Sequence, residues 1–148
     1  MDANTQLKLL LIHAGATLLM AGVIWVIQLV HYPLFALVGE RGYERYQAEH
    51  MKRITWVVGP LMITEALCAV ALLAYGEPEL SGWASAGAGL LVMIWLSTAL
   101  LQVPAHARLT RAWDQRAHQR LVLSNWLRTL GWSARGLIAL KLLASCAP

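Results

Sequence analysis

The sequence contains little charge and little cysteine. Only 14% of its 148 residues are charged, against about 25% in an average soluble domain. Its two cysteines, Cys68 and Cys146, are too few for a disulfide scaffold or a cysteine-only metal site. Because no basic run interleaves with aromatic residues, the net charge of +4 does not indicate nucleic-acid binding. The apolar excess, 58% of all residues, argues against disorder and predicts a chain that is solvated by lipid.

Four apolar segments are each long enough for a membrane-spanning helix, which needs roughly 20 residues. They cover about residues 9–38, 54–75, 80–107 and 121–147 of a single domain, residues 1–148. Because lipid cannot satisfy exposed backbone polar groups, we expect these segments to be α-helices. Short connections make consecutive helices antiparallel neighbours. The sequence therefore predicts an all-α polytopic membrane protein, an antiparallel bundle of four transmembrane helices.

The charges between the apolar segments predict the orientation of the chain. Eight Lys and Arg residues flank the first and third connections, whereas the second connection, residues 76–79, is acidic and has no cation. Cytoplasmic loops of membrane proteins carry an excess of Lys and Arg. We therefore expect the two basic connections in the cytoplasm and both termini outside it, in a bacterial-type inner (plasma) membrane.

Two ionisable residues lie near the middle of the predicted helices. Glu65 is the only charged residue of the second segment, and Arg135 lies at a similar depth in the fourth. An arginine at the bilayer midplane costs roughly 2.5–3.5 kcal/mol, which pairing with a carboxylate would offset. We therefore expect Glu65 and Arg135 to pair. The pair is either structural or a functional group that binds substrate or handles protons.

Four histidines form a second candidate site. One comes from each predicted helix, and all are expected toward the cytoplasmic side: His31, His50, His106 and His118. Imidazole nitrogen is the commonest ligand of transition metals in proteins, so these residues are candidate metal ligands. The alternative is that they are ordinary polar residues close to the lipid headgroups.

A third candidate site lies toward the opposite side of the membrane. His13 is near the outer end of the first helix, and Lys141 lies at a comparable depth in the fourth. His13 is a candidate axial ligand of a haem, whose flat ring Trp132 is placed to contact. The alternative is that His13 is a polar residue within a packed core.

The fourth segment also contains a dense group of polar and aromatic residues. Asn125, Arg128 and Trp132 combine hydrogen-bond donors, a fixed cation and an aromatic wall. This combination suits an anionic planar ligand, such as a porphyrin propionate or a quinone or polyketide oxygen. The alternative is an anchoring helix whose arginines pair internally and whose tryptophans lie at the membrane interface.

The sequence resembles the small four-helix bacterial protoporphyrinogen oxidases, which are haem-binding membrane proteins. The resemblance is carried by His13, by Met20-Ala21-Gly22, by Arg53-Ile54 followed by Pro60, and by Asn125, Thr129 and Lys141. It implies that His13 is a haem ligand and that Lys141 is an essential partner. Where that family has Asn-Glu-x-Pro-Thr, this chain has Asn125-Trp126-Leu127-Arg128-Thr129. The same segment is similar to small anthrone-oxygenase-like membrane proteins.

These observations predict an integral membrane oxidoreductase that uses haem or another transition metal, iron or copper. Its substrate is expected to be a hydrophobic small molecule, of aromatic character, and its candidate catalytic residues are Glu65, Asn125, Arg128 and Arg135. One alternative is a non-catalytic accessory subunit of a larger membrane complex. Another is a carrier of protons or small solutes that uses Glu65 and Arg135. We expect the chain to lie in membrane lipid, either as a homo-oligomer or as part of such a complex.

Overall fold

The computed structural model describes residues 1–145, and every regular element in this part of the chain is a helix. Cys146 and the ends of the predicted 121–147 span and 1–148 domain lie outside the described residues. The first long helical segment consists of four consecutive pieces. They are α1 (Ala3–Val26), the π-helical turn π1 (Ile27–His31), α2 (Tyr32–Leu34) and a 3-10 turn (Phe35–Leu37).

The second segment is one helix, α3 (Glu40–Tyr75). It begins well before the predicted residue 54, because the polar stretch after Gly39 continues the helix and buries Tyr43, Gln47 and His50. The third segment consists of a 3-10 turn (Pro78–Leu80), α4 (Ser81–Ser97), π2 (Thr98–Gln102) and α5 (Val103–Leu109). The fourth segment is α6 (Gln115–Ala144).

Three of the four segments are long and apolar enough to cross a membrane. They span Ala3–Leu37, Glu40–Tyr75 and Pro78–Leu109, with mean hydropathies of 2.2, 2.1 and 1.8 over their most apolar windows. The helix α6 does not reach the same apolarity because it carries five cations: Arg116, Arg120, Arg128, Arg135 and Lys141. By length and composition, the described residues therefore fit a multi-pass membrane protein.

The four segments pack so that each contacts the next one, and the first also contacts the fourth. The first and second segments run antiparallel, because His31 contacts His50 whereas Thr17 contacts Glu65. The fourth segment is antiparallel to the first, because Gln28 contacts Asn125 whereas His13 contacts Arg135. It is also antiparallel to the third, because Gln102 contacts Ser124 whereas Gly87 contacts Arg135. This arrangement directs one face of every segment toward a common interior.

The first and third segments both change to a π-helical turn just before a proline. In each, the residue after the turn donates its N–H to the carbonyl five residues back, and Pro33 or Pro104 follows. A proline has no N–H and clashes with the carbonyl four residues earlier, which the wider turn accommodates. Such turns are frequent at functional sites. Here π1 contains Gln28 and His31, and π2 contains Gln102.

Candidate functional site

Buried polar side chains in the interior form two groups. We call the first the Glu65 cluster, and it comprises His13, Thr17, Glu65 and Arg135. We call the second the histidine cluster, and it comprises Gln28, His31, Tyr32, Gln47, His50, His106, His118, Asn125 and Arg128. All of these side chains except His31 are less than a tenth exposed.

The Glu65 cluster joins three helices through one carboxylate. The Glu65 side chain is completely buried, and it accepts hydrogen bonds from the Arg135 guanidinium and from the Thr17 hydroxyl. Arg135 also donates to the backbone carbonyl of Gly87 on α4. The predicted pairing of Glu65 with Arg135 is therefore present. The Thr17 hydroxyl and the Gly87 carbonyl add hydrogen bonds to the two charges, which a buried ion pair needs, although the Arg135 Nε atom has no partner within residues 1–145.

His13 belongs to the Glu65 cluster rather than to a separate site. Its Nε2 atom lies 3.3 Å from an Arg135 terminal nitrogen and 3.8 Å from a Glu65 carboxylate oxygen. Lys141 is exposed and lines a different pocket, together with Glu77 and Glu79. The structure thus places His13 in the buried interior and Lys141 at the surface.

Trp132 packs in the core beside the same cluster. Its side chain is completely buried, and the Arg135 guanidinium carbon lies 5.7 Å from its ring centroid. A cation at this distance is attracted to the negative face of the indole. Trp132 therefore shields the Glu65–Arg135 pair in this structure.

Two histidines of the histidine cluster contact each other at the protein surface. His31 Nε2 and His50 Nδ1 are 2.8 Å apart, which is a hydrogen-bond distance. Two grooves, of about 470 and 370 Å³, meet at His31 and Ile54. The larger groove is otherwise apolar and follows α1 from Leu18 to Val26 and then Ile27 of π1. The smaller groove also contacts His50. The histidine pair is therefore accessible from the outer faces of the helices.

His106 and His118 are held in the interior by neutral groups. The Gln47 amide N–H donates to His106 Nδ1 at 2.7 Å, and His106 Nε2 then donates to the Tyr32 hydroxyl at 2.9 Å. Both ring nitrogens of His106 are thus engaged, which leaves no lone pair for a metal ion. His118 Nε2 donates to the Tyr32 backbone carbonyl at 2.8 Å, so its lone pair lies on Nδ1.

A chain of side-chain amides extends the cluster toward the middle of α6. Asn125 donates to the Gln28 side-chain oxygen at 2.9 Å, and Thr129 donates to the same oxygen at 3.3 Å. Arg128 donates to the Asn125 side-chain oxygen at 3.2 Å. Gln28 also donates to the backbone carbonyl of Val122. These bonds fix π1 against α6 and place the Arg128 guanidinium inside the cluster.

Several buried polar atoms in and beside this cluster have no hydrogen-bond partner within residues 1–145. They are Tyr43 Oη, Gln47 Oε1, His50 Nε2, His118 Nδ1 and Arg128 Nε. Buried polar groups in native proteins are nearly always paired with protein, water or a ligand. Three more unpaired atoms, on His13, Trp132 and Arg135, lie in or beside the Glu65 cluster. The larger group makes the histidine cluster the stronger candidate site for a bound molecule or ion.

The four predicted metal ligands do not form a single ligand set. Within the described part of the chain, no three His, Cys, Asp or Glu side chains are grouped so that they could hold a metal ion. His31 contacts His50, and the ring centroids of His50 and His106 are 5.6 Å apart, but His118 contacts neither of the first two through its nitrogens. The histidines thus form a series of contacts in which the His31–His50 pair is the closest.

Four further residues of these clusters were not among the predicted site residues: Thr17, Gln28, Tyr32 and Gln47. Gln47 binds His106, Tyr32 binds His106 and His118, and Thr17 binds Glu65. Gln-x-x-His occurs three times, at residues 28–31, 47–50 and 115–118, and the glutamines of the first two belong to the histidine cluster, so this pattern could have indicated Gln28 and Gln47. No sequence pattern marks Thr17 or Tyr32, whose contacts come from other helices.

Comparisons with family models, curated proteins and solved structures give no match to this chain. The assignment of a function therefore depends on the geometry of the two clusters.

Proposed function

We propose that this chain is an integral membrane oxidoreductase, an antiparallel bundle of four transmembrane helices with the histidine cluster as its active site. In this proposal a transition metal, iron or copper, binds at His31 and His50, and the substrate is a hydrophobic molecule from the bilayer. The single observation that carries the proposal is the group of unpaired buried polar atoms around two contacting histidines.

The distribution of side chains on α6 supports membrane insertion of the fourth helix as well. Its polar residues Asn125, Arg128 and Arg135 are buried, whereas Leu123 and Leu137 are about 70% exposed. A soluble protein has the opposite arrangement, with charge outside and leucine inside. Polar residues within a membrane face the bundle interior. We infer that α6 crosses the bilayer with the other three segments and that its leucines contact lipid.

The residues at the His31–His50 pair fit a metal ion. Metal–imidazole bonds are about 2.0–2.1 Å long, so two nitrogens that lie 2.8 Å apart can bind one ion. With Nδ1 of His50 on the ion, the buried Nε2 atom of the same ring would carry the proton and be free to donate a hydrogen bond to a bound molecule. With only two histidines as ligands, coordination positions stay open for substrate, as in catalytic metal sites. The bound metal would supply redox chemistry and polarise a substrate oxygen.

The chain's own residues supply binding and orientation. The apolar groove along α1 gives a hydrophobic molecule a path to His31 from the lipid side, because Leu18, Val23 and Val26 line it. Tyr32 and Gln47 hold His106 as a neutral imidazole in the cluster. The amide chain of Gln28 and Asn125 keeps π1 against α6, which fixes the position of His31.

Metal analysis of the protein purified gently from its own membrane tests the proposal. We expect elemental analysis to find iron or copper, with a Soret band only if the iron is in haem. Both His31→Ala and His50→Ala should abolish metal binding, whereas the matched control His13→Ala, in the Glu65 cluster, should retain it. A Soret band that shifts in His13→Ala would move the cofactor to the Glu65 cluster. Wild-type protein without metal would contradict the proposal and favour the accessory-subunit alternative.

The Glu65 cluster favours a second candidate function, that of a proton or small-solute carrier. Three ionisable side chains from three helices meet there in a fully buried setting, and the His13 Nδ1 atom has no partner among residues 1–145. Purified protein in liposomes with an internal pH dye would test this function. Proton uptake that Glu65→Gln abolishes and His50→Ala leaves intact would support a carrier.

A further inference from the structure

Arg128 is a buried cation without an acidic partner. Its side chain is 6% exposed, and none of the eight Asp and Glu residues, all of which lie in the described part of the chain, forms an ion pair with it. Its polar neighbours are neutral: the Asn125 side-chain oxygen at 3.2 Å and the phenol of Tyr32. The Nε atom of the guanidinium has no partner at all within residues 1–145.

The other buried arginine on α6, Arg135, has the acidic partner that Arg128 lacks. The Nε atom of Arg135 is also without a partner within residues 1–145, but its guanidinium has the Glu65 carboxylate, a backbone carbonyl and the Trp132 ring around it. A buried charge is expensive unless an opposite charge or several hydrogen bonds compensate it. Arg128 has two neutral partners, the Asn125 side-chain oxygen and the Tyr32 phenol, for its five N–H groups. The chain therefore keeps an uncompensated positive charge in the cluster that we propose as the active site.

We propose that the histidine cluster binds a carboxylate amphiphile, a molecule with one carboxylate head and a long apolar tail, and that Arg128 pairs with the head. This inference rests on the proposed function in that the ligand reaches the cluster from the bilayer. A guanidinium presents parallel N–H groups that match the two oxygens of a carboxylate. The unpaired Nε of Arg128 is one of the donors that such a fork requires.

The turn π1 connects the apolar groove with Arg128. Ile27 and His31 line the groove on the outer side of this turn. Gln28, between them in sequence, points inward and accepts from Asn125, whose own side-chain oxygen binds Arg128. The groove also reaches Ile54 on α3, so a tail in it would direct its head between π1 and α3, beside the His31–His50 pair, toward Arg128 in the interior. The apolar groove and a buried cation without an acidic partner match the two parts of a fatty carboxylate.

Binding of dodecanoate with a 13C-labelled carboxyl group tests the proposal. We would place the wild-type chain in phosphatidylcholine nanodiscs at alkaline pH and follow the carboxyl resonance, with unlabelled dodecanamide as the neutral competitor. Loss of one partner of a buried charge pair costs 2–5 kcal/mol or more, so Arg128→Gln should weaken binding about 30-fold or more. The control Arg120→Gln removes an exposed arginine from the same helix and should bind normally. Equal binding of dodecanoate by Arg128→Gln and wild type, or equal competition by dodecanamide, would overturn the proposal.

Thermal unfolding without added ligand gives a second, independent readout. Because Arg128 is uncompensated in the free protein, Arg128→Gln should raise the unfolding temperature. The matched variant Arg135→Gln removes a compensated cation and should lower it, because Glu65 is then left unpaired. A lowered unfolding temperature for Arg128→Gln would show that neutral groups already compensate the guanidinium, and it would overturn the proposal.

The metal content of the same samples separates this inference from the proposed function. Metal in the wild type together with unchanged dodecanoate binding in Arg128→Gln overturns the carboxylate site alone. Dodecanoate binding that depends on Arg128 in a protein without metal overturns the oxidoreductase and leaves a carboxylate-binding membrane protein.

Discussion

At the scale of single residues, the position of each charged side chain decides what its pairing contributes. The Arg53–Glu49 pair has an N–O distance of 3.2 Å, but its side chains are 81% and 50% exposed. Water and salt screen such a pair, and its contribution to stability is small. Glu65 and Arg135 are 0% and 1% exposed, so neither charge has water as a substitute partner. The same chemical pair therefore has very different consequences at the two positions.

The Glu65–Arg135 pair gives the first prediction. Glu65→Gln and Arg135→Gln should each lower the free energy of unfolding by about 3–5 kcal/mol, because each leaves one buried charge without its partner. The double variant should regain part of the loss, since residues in contact are not additive. Thermal unfolding of all four proteins in detergent measures the coupling.

The exposed pair is the control for this cycle. Glu49→Gln and Arg53→Gln should change the unfolding temperature very little, singly or together. Additive losses at Glu65 and Arg135 would contradict the contact between them. Unchanged stability with lost proton transport would instead assign the pair to a carrier.

Asp114 gives a second residue-scale prediction, outside the membrane-spanning segments. The Ala117 and Arg116 backbone N–H groups bind its carboxylate at the start of α6 and lower its pKa. A carboxylate with a lowered pKa contributes stability that is present above its ordinary pKa of about 3.9 and is lost as the pH falls through the lower folded value. Thermal unfolding between neutral and acidic pH should therefore show a steeper acid loss in wild type than in Asp114→Asn.

The substitution isolates the charge because asparagine also accepts hydrogen bonds at a helix start. Asp114→Asn therefore keeps the cap and removes only the titration of this side chain. Parallel acid curves for the two proteins would show that the Asp114 charge does not contribute.

At the scale of elements, close packing between α4 and α6 depends on one glycine. A Cβ atom at Gly131 would lie 2.8 Å from an Ile94 side-chain carbon and 3.0 Å from the Met93 terminal methyl. Ile94 is completely buried and cannot move away freely. Gly131 therefore sets how closely the two helices approach beside the Glu65 cluster.

This contact gives a third prediction. Gly131→Ala should lower the free energy of unfolding by about 1–3 kcal/mol, because the added methyl overpacks the α4–α6 contact. The control Gly89→Ala, on α4, has nothing within 4 Å of its added Cβ and should be neutral or slightly stabilising. Thermal unfolding measures both. Equal effects of the two substitutions would contradict the close approach at Gly131.

At the scale of the whole molecule, the cations are concentrated at one end of the helices. Eight Lys and Arg residues lie in the first part of α3 or around the connection at residues 110–114, whereas the connection at residues 76–79 has no Lys or Arg. Because consecutive segments are antiparallel, the two basic connections lie at the same end of the molecule. A membrane protein with this asymmetry is expected to keep its basic end in the cytoplasm.

Reporter fusions test this orientation as a fourth prediction. A reporter after Thr110 should be active in the cytoplasm, and one after Pro148, a residue outside the described part of the chain, should be active on the opposite side. A reporter after Glu77 is the control, since it should match the one after Pro148. The same compartment for Thr110 and Pro148 would contradict four crossings, because α6 would then not span the membrane.

Much of the architecture follows from the sequence alone. Long apolar runs force helices in lipid, which predicts the all-helical fold of the described residues. Three of the four predicted spans are long and apolar enough to cross a membrane. The similar depth of Glu65 and Arg135 predicts their contact, because each is the nearest opposite charge in an apolar interior. These features depend on composition and on position along a helix, and both can be counted in a sequence.

Other features depend on which helices become neighbours and how they are rotated. Each π-helical turn changes the rotation of the helix beyond it, so the direction of His31 cannot be counted from His13 at an α-helical pitch. Only the packing brings His13 to Glu65, saturates His106 with Gln47 and Tyr32, and leaves Arg128 without a carboxylate. The reason is that a sequence specifies which polar groups must be buried, whereas the tertiary structure decides which of them can reach each other.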